Sequence, residues 1–199
     1  MTRFRFLSLF LVAFVFWSCS SNDDEISPAQ LGGTWDVKKF ENKMNVSLKV
    51  ASIEKEVMSL DLNGKDIDLV MEFGKDPNTY SLDGKIKIVA ENLKLASEFE
   101  GMEDQLDLDD LTDGMEGEGT ISEKGRWTLA DKLLTFKEDN SGNGNVDFGA
   151  IFDKDAKFTI KSLTPDMLVL EMEIKKSEPA DLGEVVAASN TTITLVRKK

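Results

Sequence analysis

Short segments in which apolar and polar residues alternate recur along this chain, and they constrain its fold more than any other feature. The segment DIDLVMEFG, at residues 66–74, has an apolar residue at every second position: Ile67, Leu69, Met71 and Phe73. KIKIV, at residues 85–89, repeats the pattern with Ile86 and Ile88. Because successive side chains of a strand point to opposite faces, a period of two predicts strands with one buried face.

The second half of the chain repeats this pattern in pairs of segments joined by short connections. RWTL and LLTFK flank residues 130–132, and AKFTIKSL and MLVLEMEI flank residues 164–166, so each pair predicts a hairpin. The final segment, TTITLVR at residues 191–197, alternates in the same way. A further hairpin is predicted at Asp83-Gly84, because a two-residue type I′ turn favours this dipeptide.

The pattern as a whole predicts an all-β fold with one or two accessory helices. About eight to ten short strands at close spacing favour an antiparallel up-and-down meander that closes into a barrel, because closure removes unpaired strand edges. A sandwich of two sheets is the rival arrangement. One short helix is predicted to begin at Pro28, behind an N-cap at Ser27. A second helix is predicted where apolar residues fall three and four apart: Val46, Val50, Ile53, Val57 and Leu60.

Residues 1–18 are predicted to be a lipoprotein signal peptide. Arg3 and Arg5 precede an apolar run from residue 6 to 17, which is too short to span a bilayer. Cys19, the only cysteine, resembles the lipidated cysteine of bacterial lipoproteins, and the SSNDDE tract behind it resembles a Bacteroidetes-type surface-export signal. We therefore expect a lipid-anchored outer-membrane protein exposed at the cell surface, with a periplasm-facing position as the fallback. An ordinary signal peptide with an incidental cysteine is the alternative.

This assignment divides the chain into a signal peptide (1–18), a lipidated polar tether (19–27) and one barrel domain (28–199). Removing the signal peptide takes the formal net charge from −13 to −15, because Arg3 and Arg5 leave with it. So acidic a chain repels phosphate backbones, which excludes nucleic acid as a partner. It also repels anionic lipid, so we expect acyl chains to hold the protein on the membrane.

The composition also restricts the chemistry. The chain has no histidine, which excludes imidazole catalysis and histidine zinc sites. Its 37 Asp and Glu residues offer so many carboxylate pairs that no pair stands out as catalytic. The sequence has no recognisable nucleophile-and-base constellation or phosphate-binding glycine loop. We therefore expect that the protein is not an enzyme and carries no cofactor.

Residues 98–118 form an acidic insertion that interrupts the strand pattern. The insertion holds ten carboxylates and neither lysine nor arginine. Apolar residues within and just before it keep helical spacing, which would suit an amphipathic helix over one end of the barrel: Leu95, Phe99, Met102 and Leu106. A solvated acidic loop is the other interpretation, because charges of one sign repel each other.

Several phrases of the sequence resemble those of a known family. GGTWDV, at residues 32–37, resembles the opening motif of lipocalins and of the lipocalin-like lipoproteins of Bacteroidetes. GRWTLADKLLTF and FTIKSLTPDMLVLEME resemble the strand-turn-strand segments of the same lipocalin-like group. In that family a tryptophan closes one end of the barrel, and an arginine near the last strand lies across its ring. The resemblance therefore implies a barrel base formed by Gly33, Trp35 and Arg197.

The resemblance also implies a function, the binding or sequestering of a small, mainly apolar ligand inside the barrel. The cavity wall would draw on inward-facing apolar residues: Phe73, Ile86, Ile88, Phe158, Leu170 and Met172. The alternative is a barrel filled by its own side chains, which would serve as a non-enzymatic interaction or structural module through its acidic insertion. An internal cavity on the order of several hundred Å³ would distinguish the two functions.

Residues 139–150, DNSGNGNVDFGA, resemble a calcium-binding loop in part. Oxygen-bearing side chains stand at alternate positions: Asp139, Ser141, Asn143, Asn145 and Asp147. However, Ala150 occupies the twelfth position, where a calcium loop has a bidentate glutamate. Asn, Gly and Ser are also common in hairpin connections, so we expect a turn here and no metal site.

Overall fold

The computed structural model describes residues 26–96, 116–140, 156–180 and 183–199. These residues form one helix and eight strands: α1 (Pro28–Leu31), β1 (Gly33–Val50), β2 (Ile53–Phe73), β3 (Thr79–Leu95), β4 (Gly117–Ala130), β5 (Leu133–Asn140), β6 (Lys157–Leu163), β7 (Met167–Ala180) and β8 (Gly183–Arg197). Each strand pairs antiparallel with the next, and β8 pairs with β1, so the ring closes. The predicted all-β up-and-down barrel is confirmed. No helix in these ranges is long and apolar enough to cross a membrane.

The first predicted helix is present as the single turn α1. Ser27 is its N-cap: the Ser27 hydroxyl accepts from the Ala29 amide at 3.3 Å, and the Gln30 side chain accepts from the Ser27 amide at 2.8 Å. This reciprocal capping box satisfies amide groups that a helix start otherwise leaves unpaired. Leu31, at the end of the turn, is fully buried, so α1 closes one end of the barrel. We name this the lower end.

Two of the three predicted hairpins are confirmed. β4 and β5 join at Asp131 and Lys132, and β6 and β7 join through residues 164–166. In the second turn, the Thr164 hydroxyl accepts from the Met167 amide at 3.0 Å, and the Thr164 amide donates to the Met167 carbonyl at 2.8 Å. Both turns lie at the lower end, because the strands that precede them run towards α1.

The second predicted helix is wrong, because residues 46–60 form the β1–β2 hairpin. The chain turns at Ala51, which has a positive φ of 55°, and Val50 then faces Ile53 across the two strands. A register shift follows between Val46 and Ser47. The turn and this bulge break the strand alternation, so apolar residues three and four apart imitate a helical stripe.

The predicted hairpin at Asp83-Gly84 is also wrong, because both residues lie inside the continuous strand β3. Gly84 has a φ of 137°, and a Cβ placed on it would lie 1.9 Å from the carbonyl oxygen of Asp68 on β2. The β2–β3 register shifts between Lys65 and Asp68. The glycine therefore allows a close approach of two strands next to a bulge in β2, and such an approach is an alternative to a turn for an isolated glycine in a strand pattern.

The strands are unequal in length, and this difference shapes the upper end. Among the described residues, the pairing of β4 with β3 extends to Ile88, and that of β6 with β7 extends to Glu171. Beyond those points β3, β2, β1, β8 and β7 continue as a five-stranded sheet, which we name the upper sheet (residues 43–50, 53–61, 89–95, 173–180 and 183–190). Its β7 edge carries Lys175, Lys176 and Pro179, residue types that discourage edge-to-edge pairing.

Aromatic side chains fill the lower half of the barrel. The ring of Phe136 lies 4.9 Å from that of Tyr80 and 5.8 Å from that of Phe158, both in edge-to-face contact. Phe73 contacts Trp127 edge-to-face at 5.9 Å. The Trp127 indole nitrogen donates to backbone carbonyls at 3.0 and 3.2 Å, so the one polar atom of its ring is satisfied. Aromatic pairs in this geometry add about 0.5–1.5 kcal/mol each beyond their burial.

Candidate functional site

The base of the barrel is built around a contact between Trp35 and Arg197. Trp35 is completely buried, and the guanidinium carbon of Arg197 lies 4.0 Å from the centroid of its ring. The three guanidinium nitrogens donate to the carbonyls of Gln30, Gly32 and Pro165 at 2.6 to 2.8 Å. Arg197 therefore joins α1, the β6–β7 turn and the tryptophan. A cation over an indole contributes roughly 0.5–2 kcal/mol.

Gly33 is required for this arrangement. Its φ of 123° disfavours a residue with a side chain, and a Cβ there would lie 2.8 Å from a guanidinium nitrogen of Arg197. The Trp35 indole nitrogen donates to the Leu31 carbonyl at 2.8 Å, which fixes the ring against α1. The Gly-x-Trp motif thus has a structural role, closing the lower end of the barrel.

The residues predicted to line a ligand cavity are all buried, and two of them border a small void. Ile86 and Leu170 border an internal void of about 20 Å³ whose lining is entirely apolar. Phe73 and Phe158 belong to the aromatic packing below it, and Ile88 and Met172 are buried outside the void's lining. One water molecule needs roughly 10–15 Å³, whereas small-molecule pockets measure about 300–1,000 Å³. The void therefore has room for one water-sized group.

Two buried polar side chains lie side by side above this void. Asn42 on β1 and Thr191 on β8 are register partners and are 6% and 1% exposed. Asn42 Oδ1 and Thr191 Oγ1 have no hydrogen-bond partner among the residues that the structure describes. A buried polar atom without a partner costs about 1–3 kcal/mol. This pair interrupts an otherwise apolar stripe, because the next inward residues on the two strands are Phe40 and Ile193.

Two glutamates also face the interior, on the opposite side of the barrel. Glu123 on β4 lies between the buried residues Ile121 and Trp127, and Glu138 follows Phe136 on β5. Burial, together with the neighbouring Glu138 carboxylate, raises the pKa of Glu123 to about 7. Glu123 therefore changes its charge near neutral pH.

A polar groove crosses the outer face of β1, β8 and β7. It has a volume of about 670 Å³ and is open to solvent, with side chains of both charges, such as Lys43, Glu173 and Lys175. The carboxylate of Glu171 in this groove already accepts from Asn190 at 3.3 Å and pairs with Lys161. Among the residues that the structure describes, those that line the groove include no aromatic side chain. It therefore lacks a platform on which a planar or sugar ring could stack.

Several predicted sites fall wholly or partly outside the described residues. Cys19 lies there, as do residues 98–115 of the acidic insertion and four members of the calcium-like loop: Ser141, Asn143, Asn145 and Asp147. Asp139, the loop's first member, is described at the end of β5, exposed and 3.8 Å from the guanidinium of Arg126. Within the described ranges, no group of three or more metal-ligating side chains comes together.

Comparison with known proteins adds little to this description. No family model matches the chain, and no curated protein matches it. Among solved structures, the chain is similar to an uncharacterized protein from Bacteroides eggerthii, with 10% identity and a TM-score of 0.36 over 84% of this chain and 99% of that one. So distant a likeness supports no statement about family or function, and the lipocalin-like assignment stays a prediction.

The inward polar residues were absent from the sequence-based predictions, although strand alternation carries a signal for most of them. Thr191, Glu123 and Glu138 each stand two positions from a buried residue of the same strand: Ile193, Ile121 and Phe136, respectively. Alternation therefore places all three on the inward face. Asn42 has no such signal. The β1–β8 register shifts between Val37 and Lys39, so counting in twos from Trp35 places Asn42 on the wrong face.

Proposed function

We propose that this chain is a non-enzymatic lipoprotein, anchored through Cys19 in the outer membrane at the cell surface, whose filled barrel serves as an interaction module. The observation that carries this proposal is the void of about 20 Å³ between the inward side chains of the barrel. A ligand on the scale of a fatty acid or a cofactor requires more than ten times that space. A solid core instead suits a scaffold that presents a surface.

We propose the upper sheet as the interaction surface, because the direction of the chain places it far from the tether. Ile26 packs against the core near α1, so the tether from Cys19 meets the barrel at its lower end. β1 runs from that end for 18 residues, a length of up to about 60 Å. Ile26, the first described residue after the tether, and the tip of the upper sheet therefore lie at opposite ends of the barrel.

The tip of the upper sheet exposes apolar side chains. Ile53 is 70% exposed and Val50, its register partner, is 47% exposed. Val185 is 37% exposed and faces Leu48, on the same side of the sheet as Val50. Apolar residues grouped at one end of a β-sheet are a common feature of protein contact surfaces.

The negative charge of the chain favours a basic protein as the partner. The full chain has a formal net charge of −13, and the acidic insertion 98–118 carries ten carboxylates. This insertion leaves β3 and returns to β4 at the upper end, where Glu116 Oε1 accepts from the Ala90 amide at 2.7 Å. A chain with this excess of negative charge attracts a positively charged partner and accelerates its association.

The test places a photo-crosslinking amino acid at Ile53 in the lipoprotein expressed in its own kind of cell, with the same substitution at Asp131, in a lower-end turn, as the control. We expect one reproducible adduct with a basic protein from position 53, weakened by high salt, and none from position 131. Equal adducts from both positions, or none from position 53, would contradict the proposed interaction surface.

A second candidate function is the binding of a small, mainly apolar ligand at the upper end of the barrel. The unpaired oxygens of Asn42 and Thr191 favour it, because a ligand that bears a polar group would satisfy both. The void beneath them would admit only the end of such a ligand, so the rest would occupy the mouth. Retention of a small molecule after purification would favour this candidate over the interaction module.

A further inference from the structure

The Asn42–Thr191 pair is chemically unlike its register partners on the neighbouring strands. The neighbouring register partners are Leu62 on β2 and Met172 on β7, so apolar side chains flank the pair on both sides. Each of the two side chains is more than nine-tenths buried. Valine in place of Thr191 would fill nearly the same volume without an unpaired oxygen, so the chain retains a polar pair where an apolar one would fit.

The two unpaired atoms have complementary hydrogen-bonding properties. Asn42 Oδ1 accepts only, whereas Thr191 Oγ1 both donates and accepts. They do not bond to each other, since both are without a partner. One hydroxyl group placed between them would satisfy both atoms, because it can donate its hydrogen to Oδ1 and accept the hydrogen of Oγ1.

The side chains around Asn42 and Thr191 favour an uncharged ligand group. The inward side chains that flank the pair along the strands are Phe40, Met44, Ser189 and Ile193, and none carries a charge. An ammonium group would lack a counter-charge among these neighbours, since Glu123 and Glu138 lie on the opposite side of the barrel, and a carboxylate would present acceptors to the Asn42 acceptor. The apolar void one step below has room for a water-sized group, but no polar atom lines it.

We infer that Asn42 and Thr191 form an internal binding point for one neutral hydroxyl group, supplied by a buried water molecule or by an alcohol. This inference goes beyond the proposed interaction function, because it concerns a point inside the barrel and holds whether or not a protein binds the upper sheet. Buried waters characteristically satisfy polar groups that the protein leaves unpaired.

The test uses residues 20–199, which contain every element described above. Magnetisation is transferred selectively from water to the Thr191 methyl and the Asn42 side-chain amide in NMR spectra of the wild type and of Thr191→Val. We expect transfer to both groups in the wild type and its loss at Asn42 in the variant. We also expect the variant's unfolding equilibrium constant to rise about fivefold, because a hydrogen-bond partner is removed. Thr194→Val, on the outward side of the same strand, is the matched control and should change it less than twofold.

Titration with 1-butanol separates the two sources of the hydroxyl. Saturable shifts at both residues, with loss of the transfer from water, would assign the point to an alcohol. If magnetisation transfer from water persists at saturating butanol, the bound hydroxyl group belongs to a water molecule. Either result supports the inference. The inference is wrong if the wild type shows no transfer from water, butanol causes no saturable shift, and Thr191→Val is at least as stable as the wild type.

Discussion

Replacing Glu123 with glutamine should remove most of the pH dependence of stability between pH 5 and pH 8. Burial, and secondarily the Glu138 carboxylate, raises the pKa of Glu123 from 4.5 to about 7 in the folded chain. The folded state therefore favours the protonated acid. Its contribution to stability is complete below about pH 4.5 and is lost as the pH rises through about 7. Glutamine imitates the protonated acid at every pH.

The size of the expected stability change follows from the folded and unfolded pKa values of Glu123. A pKa of about 7 against 4.5 in the unfolded chain corresponds to at most about 3.4 kcal/mol. Glu123 is only partly buried, and solvent screens its repulsion with Glu138, so we expect roughly 1 kcal/mol. For a chain of this size, that corresponds to a change in melting temperature of about 2–4 °C.

The assay is thermal unfolding of residues 20–199 followed by circular dichroism at pH 5, 6, 7 and 8. The variant should melt above the wild type at pH 8 by about 2–4 °C more than it does at pH 5. Glu118→Gln, exposed on the same strand, is the control and should follow the wild-type curve. Parallel wild-type and Glu123→Gln curves across this range would refute the argument that Glu123 is ionised at an energetic cost inside the barrel.

Three further substitutions test the anchor, the barrel base and the β2–β3 bulge. Cys19→Ala should leave the protein soluble or retained as precursor, and normal, processed recovery with the outer membrane would contradict lipid anchoring. Trp35→Ala should lower the free energy of unfolding by about 3–5 kcal/mol in urea titrations, because it removes a fully buried ring; a near-neutral result would contradict its place in the base. Gly84→Ala should cost more than about 1 kcal/mol, because its Cβ would overlap a backbone carbonyl at a positive φ. Gly117→Ala, whose Cβ would meet no atom within 4 Å, is its control, and equal losses in the two variants would contradict the bulge.

Strand alternation predicted the barrel well where each strand keeps one register. The stretch from Ile67 to Phe73 and the hairpin at residues 130–132 follow directly from it, and Leu69, Met71 and Phe73 are buried as expected. Arg197 shares the parity of Leu195, and its guanidinium accordingly lies over the Trp35 ring. These features depend on local periodicity and on side-chain direction, which the sequence contains.

The errors occurred where bulges and turns break that periodicity. Residues 46–60 combine a tight turn with a bulge, and Gly84 provides a close approach of β2 to β3 instead of a hairpin. In both places, the register with the adjacent strand decides the conformation, and a single sequence does not reveal that register. The sequence could not decide between a filled interior and a cavity for a similar reason. Apolar alternation gives the inward residues, but whether their rings meet or leave a cavity depends on strand tilt and on packing.

Native mass spectrometry tests the filled barrel most directly. Residues 20–199 would be purified gently from their own kind of cell and weighed before and after unfolding. We expect no mass excess of a few hundred daltons in either state, because the void of about 20 Å³ is too small for a ligand of that size. A discrete mass excess of a few hundred daltons that disappears on unfolding would contradict this expectation and would identify the protein as a carrier of a small ligand.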